Sequence, residues 1–240
     1  MYFLLDSNVV AGYYLPKSLN SKKARKRIEL ILNFIREDKK DNFLYIPNFC
    51  VAEVFSVFMK YTYSAWNRHV KTKGTIDARI YNSLVNQFQS DIHNGKFFYH
   101  LELTRYHVLG INLVAPIDHY YQISRKTDKK KRIVPMGTFD HLIISMGINL
   151  AHIHGPDNVC IISADDRLTN ILDKCKSGIS KQTIKKLKLQ IAEEVTGKPF
   201  GPKLFPHHLN LKTATTTDLN KIFGEWPLPV KKVPKVYRCL

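Results

Sequence analysis

The first eight residues, Met1-Tyr-Phe-Leu-Leu-Asp6-Ser7-Asn8, constrain the fold more than any other stretch. Tyr2 to Leu5 form a short, unbroken apolar run, the pattern of a strand covered on both faces of a sheet. The run stops at Asp6, and Ser7 and Asn8 are residues that start helices. Ligands of open α/β sheets bind at the carboxyl ends of the strands, so Asp6 either faces a site or caps the next helix. The arrangement recurs late in the chain, where Val159 to Ile162 run into Ser163-Ala164-Asp165-Asp166. A turn or cap is the ordinary alternative for Asp165.

Phe43 to Ile46 reads as a second strand and Phe97 to Leu101 as a third, with helical patterns between them. Val9 to Tyr14 forms a short helix, and Ser18 to Lys40 an amphipathic one with Ile28, Ile31, Leu32 and Ile35 on its apolar face. After Pro47-Asn48, residues Phe49 to Met59 are apolar all round except Glu53 and Ser56, so this helix is expected to be buried. A buried Glu requires a partner, either a distant Arg or a metal. Residues 61–95 read as a helical insertion with a stripe of Ile76, Ile80, Leu84, Val85, Phe88 and Ile92. Thr104 to Ser124 reads as a helix interrupted near Pro116. Thr138 is the expected cap of a further helix, and Asp140 shares a face with Ile143, Ile144, Gly147, Ile148 and Ala151. That places Asp140 on the inward side of a first turn, where the helix dipole favours a carboxylate. Ile184, Leu187, Ile191 and Val195 form a last helical stripe; the tail beyond Pro206 has no assignment from its pattern.

Lys and Arg number 37 against 20 Asp and Glu, a formal charge of +17. Such an excess suits a polyanionic partner, because each neutralised phosphate releases counterions. Nucleic acid is the first candidate, beside an anionic membrane or an acidic protein. The basic groups fall in three clusters: Lys22, Lys23, Arg25, Lys26 and Arg27; Lys129, Lys130, Lys131 and Arg132; and Lys181, Lys185, Lys186 and Lys188. A solvated charged face is the alternative to a nucleic-acid contact for the first of these. The second lies in a loop just before Asp140, where it is expected to touch substrate. Cys50, Cys160, Cys175 and Cys239 are scattered and read as small apolar core residues in a reducing compartment. No basic n-region accompanies the opening apolar run, and no apolar stretch reaches bilayer length, so a cytoplasmic location without membrane contact is expected. The pairs His152/His154 and His207/His208 read as ordinary surface residues.

Strands ending in acids and alternating with helices imply an α/β fold, a three-layer α/β/α arrangement around a mostly parallel sheet. Asp6 and Asp165 then lie on one rim, with Glu53 and Asp140 on helices that begin near it. Acids gathered in one cleft repel each other unless a cation is present. With no His or Cys in the set, oxygen donors favour Mg²⁺ or Mn²⁺ over Zn²⁺.

Four motifs, Leu4-Leu5-Asp6-Ser7-Asn8, Ile46-Pro47 with Ala52-Glu53-Val54, Asp140-His-Leu-Ile-Ile144 and Ile162-Ser163-Ala164-Asp165, follow in the order found in PIN-domain nucleases, which this chain resembles. The resemblance covers roughly residues 1–175, including the insertion at 61–95. Residues 176–240 are then a basic, helical and Pro/Gly-containing C-terminal extension packed on the same domain. The resemblance implies a Mg²⁺- or Mn²⁺-dependent endoribonuclease. In it Asp6, Glu53, Asp140 and Asp165 hold one or two ions, and Asp166 replaces or supplements Asp165. Ser7, Asn8 and Ser163 would orient the carboxylates. Water, activated by metal, would displace in line at a phosphodiester. The implied partner is single-stranded or structured RNA, with DNA, an inhibitory protein and self-association left open. A nuclease-inactive RNA binder is the alternative. A haloacid-dehalogenase-type phosphatase fits less well, because it wants an acid where Asn8 stands. A receiver-type switch is disfavoured because the Asp165-Asp166 pair comes late in the chain.

Overall fold

A computed structural model describes residues 1–15, 22–37, 42–63, 78–93, 97–124 and 135–224. The apolar runs form strands β1 (Tyr2–Leu5), β2 (Phe43–Pro47), β3 (Tyr99–Leu101) and β4 (Val159–Ser163), and His207–Asn210 adds β5. They make one sheet of order β3-β2-β1-β4-β5 in which every pairing is parallel. Leu4 lies between Tyr45 of β2 and Ile161 of β4. Phe3, Leu4 and Leu5 are buried, as is the whole of β4. Each such side chain contributes roughly 2 kcal/mol by leaving water. Parallel pairing explains why the runs are continuous rather than alternating: helices cover both faces.

The helices are α1 (Ser7–Tyr14), α2 (Lys22–Glu37), α3 (Asn48–Tyr63), α4 (Ala78–His93), α5 (Arg105–Ser124), α6 (Thr138–His154), α7 (Asp166–Lys176), α8 (Lys181–Lys186), α9 (Ile191–Thr196) and α10 (Thr216–Phe223). From β1 the chain winds outward through β2 to β3, then crosses to β4 and β5 on the other side of β1. Right-handed crossovers therefore place α1–α4 on one face and α5–α7 on the other. The packing agrees, since α1 touches α2 and α3, α3 touches α4, and α5 touches α6, α7 and α9. After β5 the chain returns to the first face, where Phe223 of α10 stacks on Phe3 and meets Phe34 edge-on. The reversal of winding leaves a crevice between the carboxyl ends of β1 and β4, the usual ligand position of such a sheet.

Several expectations need correction. α3 is half-buried rather than enclosed: Cys50, Val54 and Phe58 face the core, while Ala52, Ser56 and Met59 are exposed. Its apolar outer face is therefore partly surface, and full burial does not explain Glu53. Pro116 does not interrupt α5, which runs from Arg105 to Ser124 with the proline inside it. The cap of α6 is Gly137, not Thr138, which is already the first helical residue. The stripe from Ile184 to Val195 belongs to two short helices, α8 and α9, separated where Lys188 adopts φ 54°. Ile80 is 45 % exposed and leaves the α4 stripe, whereas Leu84, Phe88 and Ile92 are buried. His207 and His208 are half-buried strand residues, with His208 Nε2 2.9 Å from Asp173, rather than surface ones. His154 stacks on Tyr2 at 3.7 Å between ring centres. Cys50, Cys160 and Cys175 are buried and unbridged, while Cys239 lies outside the described residues. Ile76 and the loop 126–132 also lie outside them. Among the described residues, no helix is long and apolar enough to cross a membrane.

Candidate carboxylate site at the sheet rim

Asp6 leaves the end of β1 and turns into the crevice, with its backbone N–H still held by the Ile162 carbonyl at 3.0 Å. It is 3 % exposed. Its Oδ2 accepts from Ser163 Oγ and from Asn8 Nδ2, both at 2.6 Å, and Ser7 Oγ donates to Oδ1 at 3.3 Å. The same groups tie the two strand ends together. Asn8 Oδ1 accepts the Ala164 N–H at 3.0 Å, and Ser163 Oγ accepts the Asp165 N–H at 2.8 Å. The carboxylate is thus fixed by short side chains from both strand ends, which is how a buried acid is oriented.

Glu53 stands one helical turn beyond Cys50 on α3, and ligand atoms of Asp6, Cys50 and Glu53 lie within 4.8 Å of one another. Burial raises the Asp6 pKa from 3.8 to about 6, with the Ser163 hydrogen bond opposing and the charges of Asp140 and Glu53 adding to the rise. Burial likewise raises Glu53, against a Ser7 hydrogen bond and with repulsion from Asp140. Asp140 is raised by burial and by the charge of Asp165, while the Gly137 N–H and the Arg167 and His141 charges act the other way. Asp140 thus repels Asp6 and Glu53 and is repelled by Asp165, whereas among the described residues neither Asp140 nor Asp165 joins the 4.8 Å group of Asp6, Cys50 and Glu53. Repulsion of this kind is relieved by a countercharge. Burial and the neighbouring Asp6 and Glu53 charges push the Cys50 thiol up, away from the thiolate that would bind a metal. Before any metal binds, the two carboxylates are the readier donors of this group, and oxygen donors fit Mg²⁺ or Mn²⁺.

Two of these acids also have structural work. Asp140 Oδ2 accepts the Gly137 N–H at 3.1 Å, and Asp165 caps α7 by accepting the N–H groups of Arg167 and Leu168. Each uses one oxygen in this way: Asp165 employs Oδ1 for both contacts. Asp166 is engaged elsewhere. Its Oδ1 accepts from Asn210 Nδ2 at 2.8 Å, and it lines a separate cavity of about 390 Å³ with Thr169, Asp173, His208 and Asp218.

The basic clusters divide. Arg25 pairs with Glu29 at 2.8 Å and donates to the Leu15 carbonyl, and Arg27 donates to the carbonyls of Leu211 and Lys212. Both arginines hold the fold together, so Arg25 is not a free nucleic-acid contact. Lys26, Lys181 and Lys185 are exposed, and Lys186 sits 5.6 Å from the Tyr120 ring centre. The side chains of Lys22 and Lys23, and all of Lys129, Lys130, Lys131 and Arg132, lie outside the described residues.

Three further residues support the rim. Buried Asp118 of α5 accepts the Met136 N–H at 2.9 Å and lies 3.3 Å from His141 Nε2, fixing the approach to α6 and hence to Asp140. An acid within the apolar part of α5 is the same kind of signal that marks Glu53. Arg167 places its Nε 4.0 Å from Asp165 and donates to the Pro135 carbonyl at 3.4 Å, which brings a cation to the acidic rim. Its position directly after Asp165-Asp166 is the available sequence signal.

No family model matches the sequence, and no curated protein matches it. Among solved structures, the VapBC2 complex from Rickettsia felis bound to a DNA fragment from their promoter contains a similar chain. The two share 14 % sequence identity with a TM-score of 0.41, over 71 % of this chain and 93 % of that chain. A likeness of that size assigns neither residues nor activity.

Proposed function

We propose that this chain is a divalent-metal-dependent nuclease of the PIN type that hydrolyses phosphodiesters in RNA. The observation that carries the reading is the buried Asp6, held by Ser163, Asn8 and Ser7 and repelled by Glu53 and Asp140 at the β1–β4 crevice. Asp6, Glu53, Asp140 and Asp165 would hold Mg²⁺ or Mn²⁺ through oxygen atoms. An ion bound there supplies Lewis-acid polarisation of phosphate and activation of water. The chain's own residues do the rest. Ser7, Asn8 and Ser163 keep Asp6 in one orientation, and the Asp118–His141 contact fixes the helix start that presents Asp140. Arg167 stands at the rim as a donor for a phosphate oxygen. Lys26, Lys181 and Lys185, with Lys22, Lys23 and Lys129–Arg132, would attract the backbone at long range. In this reading residues 1–175 carry the nuclease core, and the segment from 176, which supplies β5, belongs to the same domain.

The testing experiment is a Mn²⁺ titration followed by electron paramagnetic resonance of the free ion. Wild type should bind Mn²⁺, and Asp6→Asn should weaken binding at least tenfold without loss of fold. Equal Mn²⁺ binding by both proteins would remove the site from the proposal. Cleavage of RNA by a metal-loaded wild type separates the nuclease from an RNA binder that does not cut.

A further inference from the structure

Phe49 and Phe139 are not accounted for by the carboxylate chemistry. Their rings stack at 5.2 Å with 16° between planes. Phe49 lies in the first turn of α3, four residues before Glu53, and Phe139 in the first turn of α6, immediately before Asp140. Residues four apart on a helix share a face, and consecutive Cα atoms are about 3.8 Å apart. The stack therefore joins the two helix starts that bear Glu53 and Asp140. Those helices cover opposite faces of the sheet, so the pair bridges the rim above the crevice. Phe139 is 47 % exposed although it is a large apolar side chain, and Phe49 is half-buried behind it. An offset pair held this way presents an aromatic surface with little rotamer freedom left to lose.

We propose that the Phe49–Phe139 stack is a platform for one unpaired nucleobase, so that the substrate is single-stranded RNA read at the base beside the scissile phosphate. The inference rests on the nuclease reading for its account of the neighbouring carboxylates. Every base has a π face, so stacking holds a strand without demanding a sequence. A base in a duplex is already stacked on its neighbours and cannot reach a protein ring without being unpaired. The +17 charge brings the strand to the protein. The ring then sets which phosphate meets Asp140 and Glu53, because the base on Phe139 and its own phosphate belong to one nucleotide. A mutual contact that merely pins α3 to α6 would give the same stack, and the test separates the two.

The test measures fluorescence anisotropy of a labelled oligouridylate and of an abasic ribose oligomer of equal length and charge. Both are bound to full-length Asp6→Asn protein in EDTA, where no turnover occurs. Adding Phe139→Leu should weaken oligouridylate binding about 5- to 100-fold, the range expected for one stacked base. It should leave the abasic oligomer within about twofold, and Phe139→Tyr should restore oligouridylate binding. Loss of affinity for both oligomers alike, or for neither, overturns the platform, as does an equal effect on a duplex RNA of the same length. Phe49→Leu is the second variant and should weaken oligouridylate selectively as well. Base-selective loss in these variants supports the platform even if wild type fails to cut RNA in Mg²⁺ or Mn²⁺, a failure that would remove only the nuclease reading.

Discussion

Ser163, at the end of β4, donates its hydroxyl to Asp6, at the end of β1, across 2.6 Å of the crevice where the sheet changes its direction of winding. The same oxygen accepts the Asp165 N–H, so one side chain sets the position of two acids. Ser163→Ala leaves the Asp165 N–H without this acceptor and Asp6 without one donor. The expected cost is about 1–3 kcal/mol of stability, measured by urea unfolding. Mn²⁺ affinity should fall about 10- to 100-fold, as for other groups that orient ligands. Wild-type affinity in this variant would remove the orienting role.

The raised Asp6 pKa gives stability a direction with pH. The folded protein holds the Asp6 proton more tightly than the unfolded chain does, with pKa about 6 against 3.8. This contribution is fully present below the unfolded value and is lost as pH rises through the folded one. In EDTA, wild type should thus lose up to about 3 kcal/mol relative to Asp6→Asn between roughly pH 4 and pH 7. Denaturant unfolding of both proteins across that range measures the difference. A difference independent of pH would show that Asp6 ionises as freely in the folded protein as in the unfolded chain.

Cys50 lies among the carboxylates with its thiol held neutral by burial and by the charges of Asp6 and Glu53. Cys50→Ala should therefore keep Mn²⁺ affinity within about threefold while losing about 1 kcal/mol or slightly more of stability from the small cavity. A large loss of Mn²⁺ affinity with the fold intact would make the sulfur part of the site.

Arg167 is exposed at the rim beside Asp165 and reaches the Pro135 carbonyl. Arg167→Ala should lower RNA cleavage about 10- to 100-fold, as expected for the loss of a charged donor to phosphate. Melting temperature should change by only a few degrees, since an exposed ion pair contributes little. Unchanged cleavage would assign Arg167 to the α7 cap region alone.

The buried strands were legible because parallel pairing demands continuous apolar runs, as in Tyr2–Leu5 and Val159–Ser163. The strand-end positions of Asp6 and Asp165 and the helical positions of Glu53 and Asp140 followed from the same patterns. β5 was not legible: His207-His208-Leu209-Asn210 has too little apolar character, and its pairing with β4 supplies what its composition does not. Lys188 breaks a helical stripe by a backbone conformation that its residue type does not announce. The Arg25–Glu29 pair, one helical turn apart, was within reach of the pattern and is missed when the cluster is read as charge alone. Arg27 read as free charge because its carbonyl partners are distant in sequence, Leu211 being 184 residues away. The Phe49–Phe139 stack is hidden for the same reason, since each ring alone is an ordinary helix residue.

Cleavage of a labelled single-stranded RNA in Mn²⁺ by wild type, Asp6→Asn and Asp140→Asn tests the central claim most directly. Each substitution removes a charge with almost no change of shape. Wild type should cut, EDTA should stop it, and both variants should lose at least about three orders of magnitude in rate, roughly 4 kcal/mol of barrier, while remaining folded. Cleavage that survives EDTA, or that persists in both variants, would contradict a carboxylate-held metal at the β1–β4 crevice.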